Sequence, residues 1–297
     1  MKMVLGLTGI VAHDAGGAEL LSSYVQSHTG EYLFAMKGPA ISVFDSEVEG
    51  FENSSLETVL SNSRTIITGS GWQSDFEWDA IGKAKERGTK VITFLDSWEN
   101  YESRFVRNSV QVMPDEIWVS NATALALARV AFLGIPVTLI ELFGHRMQIL
   151  NAYRRLSQAT ERSSNGRVLF LSDNVAEAID AQGLPDRGYT DLDSLDFLIA
   201  NLGLVRGATL PITVRPHPSE QANNWKKLSL ESGGRIVLSE TTNLLEDFSK
   251  HEFVAGSNSN ALAKAIICGK RAFCAVRDVR VNVSIPSQGI VFLRDFV

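Results

Sequence analysis

The sequence is poor in cysteine and contains no long apolar run, and both absences narrow the class of protein. Among its 297 residues only Cys268 and Cys274 are cysteines, and their spacing fits no zinc motif. We therefore predict two buried free thiols in a reducing compartment. No apolar stretch reaches the roughly 18 residues of a membrane-spanning helix. Together with an N-terminus that runs directly into a strand pattern, this predicts a cytoplasmic protein, either free or at the inner face of a membrane.

Several motifs that indicate particular chemistries are also missing. The chain has no GxGxxG dinucleotide fingerprint, no P-loop, no HExxH zinc motif and no GxSxG nucleophile elbow. Asp191-Leu192-Asp193 has the spacing of a DxD carboxylate pair, but it lies where an amphipathic helix is predicted to begin. We interpret these aspartates as capping charges, because acidic side chains stabilise the first turn of a helix. The sequence therefore predicts neither a metal nor a cofactor.

What the chain does contain is an alternation of short apolar runs with amphipathic segments. Hydrophobic residues make up 44% and charged residues 21% of the chain, and the net charge of −6 argues against nucleic-acid binding. Strands that alternate with helices are typical of parallel sheets covered on both faces. Because the alternation occurs twice, the predicted fold class is α/β, with two Rossmann-like domains whose parallel sheets face each other across a cleft. The predicted domains are residues 1–150 and 167–297, joined by a polar linker at 151–166.

The apolar runs give the positions of the predicted strands, which are continuous rather than alternating in hydrophobicity. In the first domain they are Met3–Val11, Tyr32–Met36, Arg64–Thr68, Lys90–Leu95, Glu116–Ser120 and Val137–Glu141. In the second domain they are Arg167–Ser172, Pro211–Arg215, Arg235–Leu238, Glu252–Ala255 and Ala272–Val276.

Two strand ends in the second domain carry residues suited to holding a phosphate. The run Val214-Arg215-Pro216-His217-Pro218-Ser219 closes one strand, and its prolines stiffen a turn that presents a guanidinium and an imidazole. Gly256-Ser257-Asn258-Ser259 opens a later helix, where backbone N–H groups and the helix dipole attract anions. Plain N-capping is the alternative interpretation of that second motif. We predict that the donor phosphate is bound by Arg215, His217, Gly256, Ser257, Asn258 and Ser259, with His217 also a catalytic candidate.

The first domain supplies a candidate base and candidate sugar-binding residues. Asp14 follows the first strand and precedes Gly16 and Gly17, which permit a close approach of the backbone to a ligand. Asp14 is therefore a candidate general base, and its alternative role is the N-cap of the next helix. Asp96, at another strand end, is the second candidate base. Because rings stack on sugars while polar groups bind hydroxyls, the predicted acceptor or sugar-binding residues are His13, Gly16, Gly17, Gly71, Trp72, Asp96, Trp98, Asn100 and Arg104.

Taken together, these segments resemble the GT-B class of glycosyltransferases over nearly the whole chain. The run from Glu246 to Val276 is similar to the donor-phosphate strand, turn and helix of that fold. More narrowly, the chain resembles bacterial sialyltransferases, polysialyltransferases and capsule or teichoic-acid polymerases, which carry a His-Pro motif, a serine-containing phosphate turn and an N-terminal acidic-glycine motif. The counterparts in this sequence are His217-Pro218, Ser257 to Ser259 and Asp14 to Gly17.

The resemblance implies a metal-independent, inverting glycosyltransferase of polysaccharide, capsule or O-antigen synthesis that acts on a cell-surface glycan. It implies that Asp14 is the base and that His217 and the serine turn hold the donor phosphate. The donor is left open between CMP-, CDP- and UDP-linked sugars. The alternatives are a transferase that uses phosphoribosyl pyrophosphate, a nucleotide-sugar hydrolase or epimerase on the same fold, and a non-catalytic sugar-phosphate binding module.

Overall fold

The structure is a computed structural model that describes residues 7–71, 74–98, 100–159, 166–175, 187–217, 220, 223–281, 283, 285 and 289–297. The chain divides into two compact units, Met1–Arg146 and Met147–Val297. This division falls within a helix, Phe143–Ala159, so the segment 151–166 that was predicted as a linker begins inside that helix. The predicted site residue Trp72, and Pro218 and Ser219 of the His-Pro turn, lie outside the described residues.

The first unit is built on a parallel sheet of six strands. These are β1 (Thr8–Ala12), β2 (Tyr32–Met36), β3 (Thr65–Thr68), β4 (Lys90–Leu95), β7 (Glu116–Val119) and β8 (Val137–Leu139), while β5 (Val106–Arg107) and β6 (Val110–Gln111) form a separate antiparallel hairpin. The strand order is β2-β1-β3-β4-β7-β8, so the direction of winding reverses between β1 and β3. Ligands of open α/β sheets bind beyond the carboxyl ends of the strands at such a reversal.

Both faces of this sheet are buried, which explains why its strands are continuous apolar runs. Ile10 and Ile67 belong to the apolar cluster on one face, and their neighbours Val11 and Ile66 belong to the cluster on the other face. The helices of the first unit are α1 (Ala15–Ser27), α2 (Pro39–Glu47), α3 (Leu56–Asn62), α4 (Phe76–Glu86) and α5 (Ala122–Ala131).

The second unit repeats this plan with a different strand order. Its six parallel strands are β9 (Arg167–Leu171), β10 (Thr209–Arg215), β11 (Ile236–Leu238), β12 (Phe253–Gly256), β13 (Arg271–Cys274) and β14 (Ile290–Phe292). The order is β11-β10-β9-β12-β13-β14, so the winding reverses between β9 and β12. Its helices are α6 (Phe143–Ala159), which begins in the first unit, α7 (Asp191–Ala200), α8 (Asn223–Glu231), α9 (Leu244–Lys250) and α10 (Asn260–Ile267).

These observations confirm the predicted fold class, α/β with two Rossmann-like parallel-sheet units. Both cysteines are free and buried, as predicted. Burial raises the pKa of the Cys268 and Cys274 thiols to about 11. No helix in the described ranges combines the length and the apolar character that a membrane crossing requires.

Candidate functional site

The winding reversal of the first unit brings three carboxyl groups to the carboxyl edge of its sheet. Asp14 follows β1, Asp96 follows β4, and Glu77 lies in the first turn of α4, which follows β3. Glycines make room for these side chains. A Cβ built on Gly16 would lie 2.5 Å from Oδ2 of Asp96, and one built on Gly71 would lie 2.0 Å from Oδ2 of Asp14. A Cβ at either position would therefore displace a carboxylate oxygen from the place it occupies here.

We predict from the sequence that these glycines let a ligand approach the backbone. In the structure, their nearest neighbours are atoms of the same chain. Gly16 and Gly71 face carboxylates of the same chain, and a Cβ on Gly17 would lie 3.3 Å from the Cα of Gly69. The glycines therefore allow the loops after β1 and β3 to pack closely, which places the carboxyl groups side by side.

Asp14 occupies the N-cap position of α1 without capping it. Its backbone is extended, and its side chain makes no capping hydrogen bond. Instead, Oδ1 lies 2.8 Å from Nδ1 of His13, and the two side chains are 17% and 19% exposed. A carboxylate that is oriented by an imidazole and still reaches solvent is suited to take a proton from a bound hydroxyl.

Glu77 is a site residue that sequence reasoning missed. It is 1% exposed, and its two oxygens accept the backbone N–H groups of His13 at 2.9 Å and Gly71 at 2.5 Å. Burial, with repulsion from Asp14 as the next cause, raises the pKa of the Glu77 carboxyl to about 8. In the sequence Glu77 has the pattern of an ordinary acidic residue in the first turn of a helix, and no sequence signal marks it.

Asp96, the second candidate base, is held in an ion pair with Arg104. Nη1 of Arg104 lies 2.7 Å from Oδ1 of Asp96. The same nitrogen donates to the carbonyl and the hydroxyl of Ser70, each at 2.9 Å. Arg104 is therefore a buried brace between the ends of β4 and β3, and its engagement with Asp96 favours Asp14 as the base.

The remaining predicted acceptor residues lie in the loop after β4. Trp98 packs partly against an apolar cluster, and its Nε1 donates to Oδ1 of Asn121 at 3.3 Å. Asn100 is exposed and has a positive φ of 56°. No group of three or more His, Cys, Asp or Glu side chains arranged to hold a metal ion is found in the described part of the chain.

In the second unit, the predicted phosphate turn after β12 makes internal hydrogen bonds. Ser257 is fully buried, and its hydroxyl lies 3.1 Å from Oγ of Ser194 in α7. A Cβ built on Gly256 would lie 3.1 Å from the carbonyl oxygen of Leu171, so this glycine permits close packing of β12 against β9. Gly256 and Ser257 therefore pack against the rest of the second unit and stabilise the turn.

The next two residues of the turn are also engaged. The N–H of Asn258 donates to Oδ2 of Asp173 at 2.8 Å, and Oγ of Ser259 accepts the N–H of Ala261 as the N-cap of α10. N-capping, the alternative interpretation of this turn, is thus present at Ser259. Asp173 follows β9, so its bond to Asn258 joins the two strand ends at the winding reversal.

Arg215 directs its guanidinium toward α9. Nη1 lies 2.6 Å from Oδ2 of Asp247 and 2.9 Å from the carbonyl of Thr241, and Nη2 lies 2.6 Å from the carbonyl of Thr242. These bonds occupy much of the guanidinium donor fork that we predict from the sequence to bind a phosphate.

His217 lies just beyond β10 and is half-buried. Its backbone N–H donates to Oε2 of Glu220 at 3.1 Å, and the same oxygen accepts the hydroxyl of Ser172 at 2.7 Å. This places the His217 turn beside the end of β9. Burial lowers the pKa of the His217 imidazole, although Glu220 opposes the effect. The ring is therefore neutral at neutral pH and offers a hydrogen bond rather than a charge.

The two aspartates that we interpreted as capping charges have different surroundings. Asp193 forms a capping box with Thr190 at the start of α7. Asp191 is 5% exposed and accepts the backbone N–H groups of Asp173 at 2.9 Å and Val175 at 2.8 Å. Burial raises the pKa of the Asp191 carboxyl. The capping interpretation therefore holds for Asp193, whereas Asp191 fixes the loop after β9.

Several solved structures share this architecture. The UDP-GlcNAc 2-epimerase of Methanocaldococcus jannaschii is similar over 96% of this chain and 88% of that chain, with a TM-score of 0.62 and 9% identity. The UDP-GlcNAc 2-epimerase of Neisseria meningitidis bound to UDP-GlcNAc matches 95% of this chain and 84% of that chain, with a TM-score of 0.60 and 12% identity. The kitacinnamycin glycotransferase matches 97% and 86% of the two chains, with a TM-score of 0.53 and 9% identity.

The likeness to these structures is one of fold, because the identities are too low to carry function. No protein-family model and no curated protein matches the sequence. The neighbours nevertheless share two Rossmann-type units with this chain over almost its whole length. The chain has a GT-B-like fold, and the solved structures that share it include both a glycosyltransferase and UDP-GlcNAc 2-epimerases.

Proposed function

We propose that this protein is a glycosyltransferase that transfers a sugar from an activated phosphate donor to a glycan acceptor, with Asp14 as the general base. The Asp14 carboxylate carries the proposal, because it lies at the winding reversal, makes no capping bond, contacts His13 and remains partly exposed. In this mechanism Asp14 removes the proton of the acceptor hydroxyl as that oxygen attacks the sugar carbon. The bond from this carbon to the donor phosphate oxygen breaks, and the phosphate-bearing group leaves with the bonding electron pair. The transfer inverts the configuration of the sugar carbon and uses no metal.

The donor phosphate is assigned to the carboxyl edge of the second unit. His217 supplies a neutral imidazole that hydrogen-bonds the donor, and Ser259 stands at the N-terminus of α10, where an anion is stabilised. Ser257 and Arg215 have structural roles beside this proposed phosphate site, because Ser257 is fully buried and Arg215 is bonded to Asp247. CMP-, CDP- and UDP-linked sugars all carry a phosphate that His217 and the N-terminus of α10 could bind.

Glu77 favours a second candidate function, the epimerisation or hydrolysis of a nucleotide sugar. Epimerisation needs one group that removes a proton and another that supplies one. A buried neutral carboxyl beside an ionised carboxylate provides such an acid and base in one place. The Neisseria meningitidis enzyme that shares this fold binds UDP-GlcNAc.

Product analysis separates these functions. A thermal-shift screen against UDP-GlcNAc, a CMP-linked sialic acid, CDP-glycerol and phosphoribosyl pyrophosphate first identifies the donor, because a ligand of the folded state raises Tm. The donor is then incubated with and without a panel of glycans. A glycan product supports transfer, an altered sugar nucleotide without acceptor supports epimerisation, and free sugar supports hydrolysis. Binding without any product would identify a binding module and reject all three.

Substitution of Asp14 tests its role directly. We expect Asp14→Asn to lower kcat by about 100-fold or more while leaving donor affinity nearly unchanged, because the amide cannot accept the acceptor's proton. Asp45→Asn, at an exposed position of α2, is the matched control and should keep full turnover. Full turnover of Asp14→Asn would reject Asp14 as the base.

A further inference from the structure

Two carboxyl groups crowd one point at the carboxyl edge of the first sheet. A Cβ built on Gly71 would lie 2.0 Å from Oδ2 of Asp14 and 2.8 Å from Oε2 of Glu77. Glu77 is 1% exposed, whereas the Asp14 side chain is 17% exposed. Two carboxylates so close together are costly to ionise at the same time when one of them is buried.

The surrounding groups indicate which carboxyl keeps its proton. In the described residues no cation pairs with Glu77, whose hydrogen-bond partners are two backbone N–H groups. Asp14, by contrast, has the His13 ring at 2.8 Å. The nearby guanidinium groups are engaged elsewhere: Arg104 pairs with Asp96, and Arg107 pairs with Asp75 while donating to the Gly71 carbonyl. The charged and titratable groups of the adjoining segments include His13, Glu19, Lys37, Asp75, Asp96, Tyr101, Arg104 and Arg107.

We propose that Glu77 and Asp14 form a carboxyl pair that holds a single proton, with Glu77 as the positioning residue that keeps the proton and Asp14 as the ionised member. The inference rests on the proposed function only in taking Asp14 to be the base. Burial favours a neutral Glu77, whereas the Asp14 carboxylate contacts the His13 ring and is partly exposed.

Glu77 also fixes the place of the base. Its oxygens accept the backbone N–H of His13, which precedes Asp14, and the backbone N–H of Gly71, which lies in the loop after β3. One side chain thus fastens the two loops between which the Asp14 carboxylate lies. A glutamine offers only one acceptor oxygen in place of two, so it cannot make both bonds. Burial and the Asp14 charge raise the pKa of Glu77 to about 8, which agrees with a pair that carries one negative charge at neutral pH.

Carboxyl-carbon NMR titration of the full-length protein tests the pair without any substrate. In the wild type we expect Glu77 to titrate near pH 8. In Asp14→Asn its midpoint should fall, because the repulsive charge is gone, yet stay above the ordinary value of 4.5 because burial persists. A wild-type Glu77 midpoint near 4.5, or a Glu77 midpoint that is the same in Asp14→Asn as in the wild type, would overturn the inference.

Should Glu77→Gln fail to fold, the titrations of the wild type and of Asp14→Asn decide alone. The pH dependence of kcat, measured with the donor and acceptor found in the product screen, is a second test. A purely structural role of Glu77 would not change this pH dependence. We expect wild-type kcat to decline above about pH 8, where the pair becomes doubly charged. Glu77→Gln should have a kcat roughly tenfold lower at pH 7 and no decline of this kind. Glu86→Gln, exposed on the same helix, should retain the wild-type profile.

The two sets of measurements also separate this inference from the proposed function. If the titrations fail while Asp14→Asn still loses turnover, the carboxyl pair is wrong and the base assignment stands. If the titrations hold while Asp14→Asn keeps full turnover, the pair stands and the proposed function is wrong.

Discussion

A single methyl group added at Gly71 would reach both carboxyl groups of the candidate site. Its Cβ would meet Oδ2 of Asp14 at 2.0 Å and Oε2 of Glu77 at 2.8 Å. We expect Gly71→Ala to lower kcat by at least about tenfold and to lower the free energy of unfolding by about 1–3 kcal/mol. The matched control is Gly82→Ala in α4, where a Cβ would contact only Val112, at 3.8 Å. Because alanine favours a helix more than glycine does, this variant should be more stable by about 0.5–1 kcal/mol. Urea unfolding and turnover measure both, and equal behaviour of the two variants would contradict the crowding.

His251 makes the stability of the second unit dependent on pH. The ring is 3% exposed, with Nδ1 at 2.7 Å from the Asp247 carbonyl and Nε2 at 2.8 Å from the Thr213 hydroxyl. A neutral ring satisfies both partners, and burial lowers the pKa of His251 below 6.5. At acidic pH the unfolded chain binds a proton at His251 more readily than the folded chain does. The contribution of His251 to the free energy of unfolding is therefore fully present above pH 6.5 and is lost as the pH falls toward the lowered pKa.

The measurement is the free energy of unfolding of the wild type and of His251→Gln between about pH 7.5 and pH 5. The difference between the two proteins should shrink as the pH falls, because the glutamine does not titrate. Two parallel curves would show that His251 does not contribute to the pH dependence.

At the scale of elements, α7 carries two aspartates that stabilise the protein to different extents. Asp191 is buried and holds two backbone N–H groups of the loop after β9, whereas Asp193 caps an exposed first turn. We expect Asp191→Ala to lower the free energy of unfolding by about 2–4 kcal/mol, and Asp193→Ala to lower it by about 1 kcal/mol. Urea unfolding gives both values, and a larger loss for Asp193→Ala would show that Asp191 is not the brace of this loop.

The strands could be predicted because burial on both faces makes them continuous apolar runs. Tyr32–Met36 and Lys90–Leu95 are strands over their predicted ranges. The elements that were missed have weaker patterns. The helix Asn223–Glu231 buries only Trp225 among its residues, and the strand Ile290–Phe292 is three residues long. A short or mostly solvated element does not impose enough apolar periodicity to be recognised.

The site could be predicted only where it depends on strand ends. Asp14 and Asp96 follow apolar runs, so the rule that ligands bind beyond carboxyl ends selected them. Glu77 is buried because the loop containing Gly69 and Gly71 folds over it, and such an arrangement is not encoded in local sequence. In the same way, the hydroxyl of Ser257 is turned inward toward Ser194, which lies 63 residues earlier in the chain.

At the scale of the whole molecule, each unit has its own sheet and its own apolar core. We therefore expect calorimetry of the full chain to show unfolding that is not two-state, and the fragments 1–142 and 143–297 each to unfold cooperatively. The second fragment keeps α6 whole. A single two-state transition of the full chain, with both fragments unstructured, would contradict the independence of the units.

The burial of both cysteines has a practical consequence for labelling. Thiols whose pKa lies near 11 supply almost no thiolate at neutral pH, and it is the thiolate that alkylating reagents attack. Cysteines introduced at the exposed positions Glu49 and Lys226 would therefore react with maleimide dyes while the native pair stays unmodified. A fluorophore on each unit would then report, by energy transfer, how far apart the two units lie before and after a sugar nucleotide is added.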